Sequence, residues 1–287
     1  MSGDETGGPS AEADVKREAM SAGAVLAGIA AVEDIDRFAP PGHRPGDILR
    51  GARSVVVTAG GQPTRGSWHP GSARPQASVG YNRSIAGNSA YRVAHYVEDR
   101  FGYRAMPCPS GQVAGHYPYA SLKLMAEMAG LGTRSMAGGV ILNETYGLLY
   151  FGAALTTMPL QADGPLATPV CPDQACIRQW EKKGTTPCLE ACPTCLSGQL
   201  EDGRIGWMEY RQDLCFPRAQ TTAMDSFQKL LLAAMAESDE ERRKMIVCGS
   251  HFTRAVRSLA YSAELSAQCF ECLRRCPVGR RRRHELK

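Results

Sequence analysis

The segment CLEACPTC, residues 188–195, sets three cysteines into eight positions, with a proline directly after the second. Three chemistries use sulfur at this density: a disulfide knot, a zinc clip and an iron–sulfur cluster. The unit C-x3-C-P returns near the end of the chain as CLRRCP, 272–277. In two-cluster sites of the pattern C-x2-C-x2-C-x3-C-P, the cysteine before the proline ligates the other cluster. Short spacings let one turn present several thiolates to one cubane. The proline then turns the chain, so the next thiolate points across to the second cubane. Two C-x3-C-P units therefore predict two [4Fe–4S] clusters and eight thiolates.

The full runs are C-x4-C-x11-C-x3-C-P-x2-C from Cys171 to Cys195, and C-x2-C-x3-C-P from Cys269 to Cys276. By the crossing rule one cluster takes Cys171, Cys176, Cys188 and Cys276. The other takes Cys192, Cys215, Cys269 and Cys272. The first run is looser than the ferredoxin pattern, because eleven residues separate Cys176 from Cys188. Cys195 and Cys248 are alternatives to Cys215 or to the first pair. Zinc is the main rival, yet only one C-x2-C stands free of a C-P pattern. CLEACPTC also satisfies the C-x3-C-x2-C of radical S-adenosylmethionine chemistry, but too little chain follows it for a half-barrel.

The composition fits metal binding. The chain has 287 residues, a hydrophobic fraction of 43% and a formal charge of +4. No segment reaches the roughly 18 apolar residues of a spanning helix. The opening MSGDETGGPSAEAD carries neither a secretory nor a twin-arginine signal, so a cytoplasmic location is expected, where thiols stay reduced. Ten of the eleven cysteines lie between Cys171 and Cys276. That asymmetry predicts two regions flanked by tails: a disordered start over 1–12, an α/β body over 13–168, an iron–sulfur module over 169–279 and a basic tail over 280–287. The arginine run Arg280–Arg283 reads as a solvated tail.

The first half predicts layered α+β structure. Val15–Ala22 reads as a helix, 24–32 as a buried strand and RSVVVTA, 53–59, as the clearest strand. Gly60 to Gly80 reads as a long loop. Asn88 is the expected cap of a helix running to about Arg100, and 121–132 reads as a helix stopped by Gly130 and Gly132. No GxxxxGK[ST] or GxGxxG stands in a strand–turn–helix setting. Met125, Met128 and Met136 are expected in the core. HYPY, 116–119, offers His116, Tyr117 and Tyr119 as candidate active-site groups in a loop.

With these residues in hand, the chain resembles the corrinoid-dependent iron–sulfur reductases, the group of epoxyqueuosine reductase and the reductive dehalogenases. The resemblance runs from about residue 13 to 279 and is strongest over 129–166, with its AGLG turn, glycine pair, tyrosine–glycine and strand end Thr157–Leu160. CLEACPT and CFECLRRCP match the two cluster segments of those families in order. The resemblance implies a nitroreductase-like α/β domain that holds cobalamin base-off, followed by a ferredoxin-like module with two [4Fe–4S] clusters. Gly138, Gly139, Tyr146, Gly147 and the strand 151–157, through Thr157, would border the corrin. The families place a lysine or arginine where this chain, aligned without gaps, has Met136, with Arg134 near. Tyr117, Tyr119 and His116 are the candidates for the proton donor.

The resulting expectation is a cytosolic reductase with no membrane partner. Electrons would enter from a ferredoxin or flavodoxin, pass through both clusters and reach the corrinoid. The corrinoid would then reduce an organic substrate bound by the 60–120 region. A non-catalytic electron carrier, or an activator that reduces another protein's corrinoid, needs only the clusters. The queuosine step on transfer RNA is a further alternative, against which Met136 speaks.

Overall fold

The β-branched run SVVVTAG, 54–60, is buried at every position. Such a run forms a strand when protein covers both of its faces. In the computed structural model it is an inner strand of the principal sheet. The structure describes residues 10–61, 64–68, 75–108, 112–113, 117–118, 120–211, 213–215, 226–253, 255–256 and 271–278.

The first elements are α1 (Ala11–Ser21), β1 (Leu26–Ala31), α2 (Val32–Asp36), α3 (Pro45–Ile48), β2 (Ser54–Gly60), α4 (Arg65–Trp68) and α5 (Pro75–Phe101). Next come β3 (Ala105–Pro107), β4 (Gln112–Val113), β5 (Tyr117–Pro118), α6 (Leu122–Met128), β6 (Thr133–Arg134), β7 (Ile141–Asn143), β8 (Gly147–Leu148) and β9 (Tyr150–Thr156). The cysteine-rich part supplies α7 (Gln174–Lys183), α8 (Pro187–Ala191), β10 (Leu196–Glu201), β11 (Arg204–Tyr210), α9 (Ser226–Ala236), α10 (Glu240–Cys248) and α11 (Glu271–Arg275).

The principal sheet has the order β1-β2-β9-β3 and is antiparallel throughout. Successive residues of a strand point to opposite faces. Val56 and Ala154 therefore pack with Val15, Ile29, Val93 and Val97, beneath α1 and α5. Val55, Val57, Ala153 and Leu155 pack with Ile35, Leu124 and Met125, beneath α2 and α6. The result is an α+β fold with helices on both faces of an antiparallel sheet. Asp163 ties the chain beyond β9 back to β1: its carboxylate accepts from the Ile29 N–H at 2.7 Å and pairs with Lys16 at 2.5 Å.

A third core surrounds the cysteines. Cys171, Cys188, Cys192, Cys195 and Cys276 are buried with Leu189, Leu196, Leu200, Leu273 and Val278. Met136, Leu142, Leu148 and Tyr150 share this core. Residues from both sides of the expected 168/169 boundary thus share this core.

Two helices differ from expectation. The first begins at Ala11, capped by the Ser10 side chain, so the expected disordered start is helical from that point. The loop expected over 60–80 and the helix start expected at Asn88 give way to α4 and to the 27-residue α5. Asn88 and its neighbouring glycines read as punctuation only while nothing packs against them. Here the Ala86 carbonyl accepts the Thr58 hydroxyl at 2.7 Å. A Cβ on Gly152 of β9 would stand 2.4 Å from that same oxygen. The sheet seats the helix where local signals would end it. Among the described residues, no helix is long and apolar enough to cross a membrane.

Candidate metal centre

Each C-x3-C-P unit folds as one helical turn followed by a stop. In α8, Cys188 lies in the first turn and Cys192 is the C-cap, its N–H donating to the Cys188 carbonyl at 3.1 Å. The i, i+4 spacing puts both residues on one side of the turn, and the following proline cannot continue it. Cys272 lies in α11, and Cys276 directly follows that helix. The two short helices pack against each other, so the two units are neighbours in space.

The long spacer between Cys176 and Cys188 is occupied by α7. Asp173 caps that helix by accepting from the Ala175 N–H at 2.7 Å, and Gly184, at φ +64°, ends it. Cys176 is thereby held in the first turn. Cys171 is positioned from the other side, since the preceding Val170 N–H donates to the Thr133 hydroxyl on β6 at 2.8 Å.

Electrostatics sorts the thiols into two neighbouring groups. Burial pushes the Cys171 thiol up to about 12, and Cys276 and Cys188 add to the rise while the Met136 N–H works against it. Burial likewise pushes Cys176 up to about 12, with Cys276, Cys171 and Cys188 as its charged neighbours. Cys171, Cys176, Cys188 and Cys276 are thus mutual neighbours. In the second group, burial first and then Cys192 and Cys215 push Cys195 up to about 12. Tyr210 completes that group: burial raises its phenol, with Cys215, Cys272 and Cys195 contributing next. Cys192 also acts on Cys188, so the groups adjoin. Cys269 lies outside the described residues. Cys248 is exposed and stands apart at the end of α10.

The donor set fits iron–sulfur clusters. Burial makes Cys171, Cys176 and Cys195 resist ionisation, and bound iron would offset that cost with positive charge. Among the described residues, no group of three or more Cys, His, Asp or Glu side chains is placed to hold a metal ion.

The residues that the resemblance assigns to a corrin lie in two turns and around β9. Gly138 and Gly139 have φ of +74° and +63°, so the turn joining β6 to β7 requires glycine there. Their N–H groups donate within that turn, to Met136 at 2.9 Å and Ser135 at 3.0 Å. A Cβ on Gly138 would meet the Tyr210 ring at 3.6 Å, and one on Gly139 would meet Met208 at 3.8 Å. The pair faces the β10–β11 hairpin. Tyr146 and Gly147 follow β7 in a turn organised by Asn143, whose side chain accepts from the Tyr146 N–H at 3.1 Å. Thr157 sits past the far end of β9, where its N–H donates to the Arg104 carbonyl at 3.0 Å. β9 itself packs against protein on both faces.

Of the expected catalytic groups, Tyr117 lies on β5, opposite Val113. His116 and Tyr119 lie outside the described residues. Arg134 is paired with Glu127, Nε to Oε2 at 2.9 Å. Met136 is buried at 2% exposure in the thiol core, so it is a packing residue at the position where the families carry a cation. Lys123 was not anticipated. Solvent reaches it, yet crowding by protein and then the charge of Arg134 lower its ammonium below the ordinary value. Cys195 and Tyr210 also gain their places only through folding. The Arg211 N–H donates to the Cys195 carbonyl at 2.9 Å, and Tyr210 pairs with Leu196 across the hairpin. The spacing of Cys195 after Cys192 was a usable signal; Tyr210 had none.

No protein-family model and no curated protein matches this sequence. Solved structures do match. An epoxyqueuosine reductase from Streptococcus thermophilus aligns with 93% of this chain at a TM-score of 0.52 and 17% identity. The alignment spans 65% of that protein. An epoxyqueuosine reductase solved with an epoxyqueuosine-modified tRNA-Tyr stem loop aligns with 93% of this chain and 64% of its own, at TM-score 0.52 and 15% identity. A catabolic reductive dehalogenase solved with 3-bromo-4-hydroxybenzoic acid aligns with 88% of this chain and 36% of its own, at TM-score 0.50 and 17% identity. The structural neighbours are thus the two kinds of reductase that the sequence resembles, and the likeness is one of fold. The chain spans about two thirds of the epoxyqueuosine reductases it matches.

Proposed function

We propose that this protein is an iron–sulfur oxidoreductase with two [4Fe–4S] clusters that delivers electrons to a corrinoid and thereby reduces an organic substrate. The observation that carries this reading is the pairing of two thiol groups through the packed helices α8 and α11. Cys171, Cys176, Cys188 and Cys276 would hold one cluster. Cys192, Cys215, Cys272 and the sequence-assigned Cys269 would hold the other. The shared fold of the reductases supports the assignment to redox chemistry.

These thiolates would hold two low-potential centres, and the apolar core of Leu189, Leu273 and Val278 would exclude water from them. A ferredoxin or flavodoxin would be the electron donor. A corrinoid, when bound, supplies a strongly reducing cobalt nucleophile. Tyr117, Tyr119 or His116 would hand the proton to the substrate. The packing of Gly138 and Gly139 on the hairpin favours a second reading, an electron carrier with the clusters alone.

Anaerobic purification with metal and cofactor analysis separates the two. The reductase reading expects about eight irons and about one corrinoid per chain. Iron without corrinoid establishes the carrier. Zinc in place of iron refutes both.

A further inference from the structure

Thr186 directly precedes α8, at the N-cap of the helix that carries Cys188. Threonine in this position ordinarily turns its hydroxyl oxygen onto a free N–H of the first turn. Here it caps nothing. Its Oγ1 lies 3.2 Å from the Cys188 Sγ, and the residue is 1% exposed. No other partner for this hydroxyl occurs among the described residues. The Thr186 carbonyl is engaged separately, accepting the Glu190 N–H at 2.9 Å. A hydroxyl sealed from water needs a partner, and the only one in place is the sulfur.

In the free protein either atom can donate. A cluster-bound cysteine has no proton and can only accept, so the hydroxyl then donates O–H···S. The fold has given up a helix cap to aim a donor at a thiolate.

We propose that Thr186 is a positioning residue that sets the reduction potential of the cluster ligated by Cys188. The inference rests on the cluster reading above. One-electron reduction takes the cluster from the 2+ to the 1+ state, with the electron coming from an external reductant. No bond breaks and Thr186 keeps its proton. Part of the added charge falls on the sulfurs, where a hydrogen-bond donor stabilises it, so the donor raises the potential.

The test uses the full chain, purified without oxygen and titrated with dithionite and mediators, and reads the reduced clusters by electron paramagnetic resonance. Thr186→Val keeps the shape and removes the hydroxyl. At the wild-type midpoint, its ratio of reduced to oxidised first cluster should fall about three- to tenfold, tenfold being about 59 mV for one electron. Thr186→Ser should hold the wild-type ratio, and the second cluster should be unmoved. Full iron in Thr186→Val with an unshifted ratio overturns the inference alone. If Thr186→Val fails to hold iron, Thr186→Ser and Thr186→Ala carry the comparison, and equal midpoints in that pair overturn it. Wild-type protein without iron overturns the cluster reading and this inference together.

Discussion

Around the second group there are more sulfurs than a cubane takes. Cys192, Cys195, Cys215 and Cys272 share one neighbourhood, and sequence spacing adds Cys269. Four are needed. If the crossing rule holds, Cys195→Ser keeps about eight irons, whereas Cys192→Ser and Cys276→Ser each lose about four, from different clusters. Iron and sulfide assays of the three variants decide this; loss of iron from Cys195→Ser moves that thiol into the ligand set. Away from the centre, Cys108 lies in the sheet core, where burial pushes its thiol up to about 12. Its unfolded value is about 8.5. Below that pH both states keep the proton and stability is unaffected. Above it only the unfolded chain releases the proton, so stability falls as pH rises through the window from about 8.5 to 12. Anaerobic urea unfolding at about pH 8 and about pH 10 should show wild type losing on the order of 1–2 kcal/mol more than Cys108→Ala. An equal loss in both excludes the effect. At this scale the sulfur spacing exposed the thiols, because ligand periodicity is local. Thr186 and Tyr210 were illegible, because their roles depend on where α8 and the hairpin put them.

Among elements, the valine strand β2 was readable from composition and α5 was not. A β-branched run with no polar interruption leaves few alternatives to a buried strand. A helix that contains Gly80, Gly87 and Asn88 offers several local stopping points, and the contact that overrides them comes from residue 152. That contact is testable. At Gly152 a methyl group would stand 2.4 Å from the Ala86 carbonyl and 3.1 Å from the Gly87 nitrogen, both rigid backbone. Gly152→Ala should therefore cost about 1–3 kcal/mol through forced separation of helix and sheet, read as a lower denaturation midpoint. Gly46, with an ordinary φ and nothing within 4 Å, is the control; Gly46→Ala should stay within about 0.5 kcal/mol. Equal costs at the two sites would mean that α5 does not rest on Gly152 as described.

Across the molecule, Cys171, Cys188, Cys192, Cys195, Cys215, Cys272 and Cys276 belong to one of three cores, while Cys108 lies in the sheet and Cys248 is exposed. The cores on either side of the principal sheet hold themselves together by apolar packing of β1, β2 and β9 against four helices. The third core has Cys171, Cys188, Cys192, Cys195 and Cys276 among its buried residues, packed with leucines of α8, β10 and α11. A metal that binds only the folded state adds its binding free energy to folding. Removal of iron should therefore act unevenly. With the clusters stripped by an anaerobic chelator, amides of α8 and of the β10–β11 hairpin should lose protection from hydrogen exchange by tenfold or more, on the order of 1.4 kcal/mol. The β2 and β9 amides should change far less. The residues Met136, Leu142, Leu148 and Tyr150 mark how far the loosening spreads, since they belong to the body by sequence and to the thiol core by packing. Uniform loss of protection through β2 and β9 would show that the three cores unfold as one unit, and that the clusters support the entire fold.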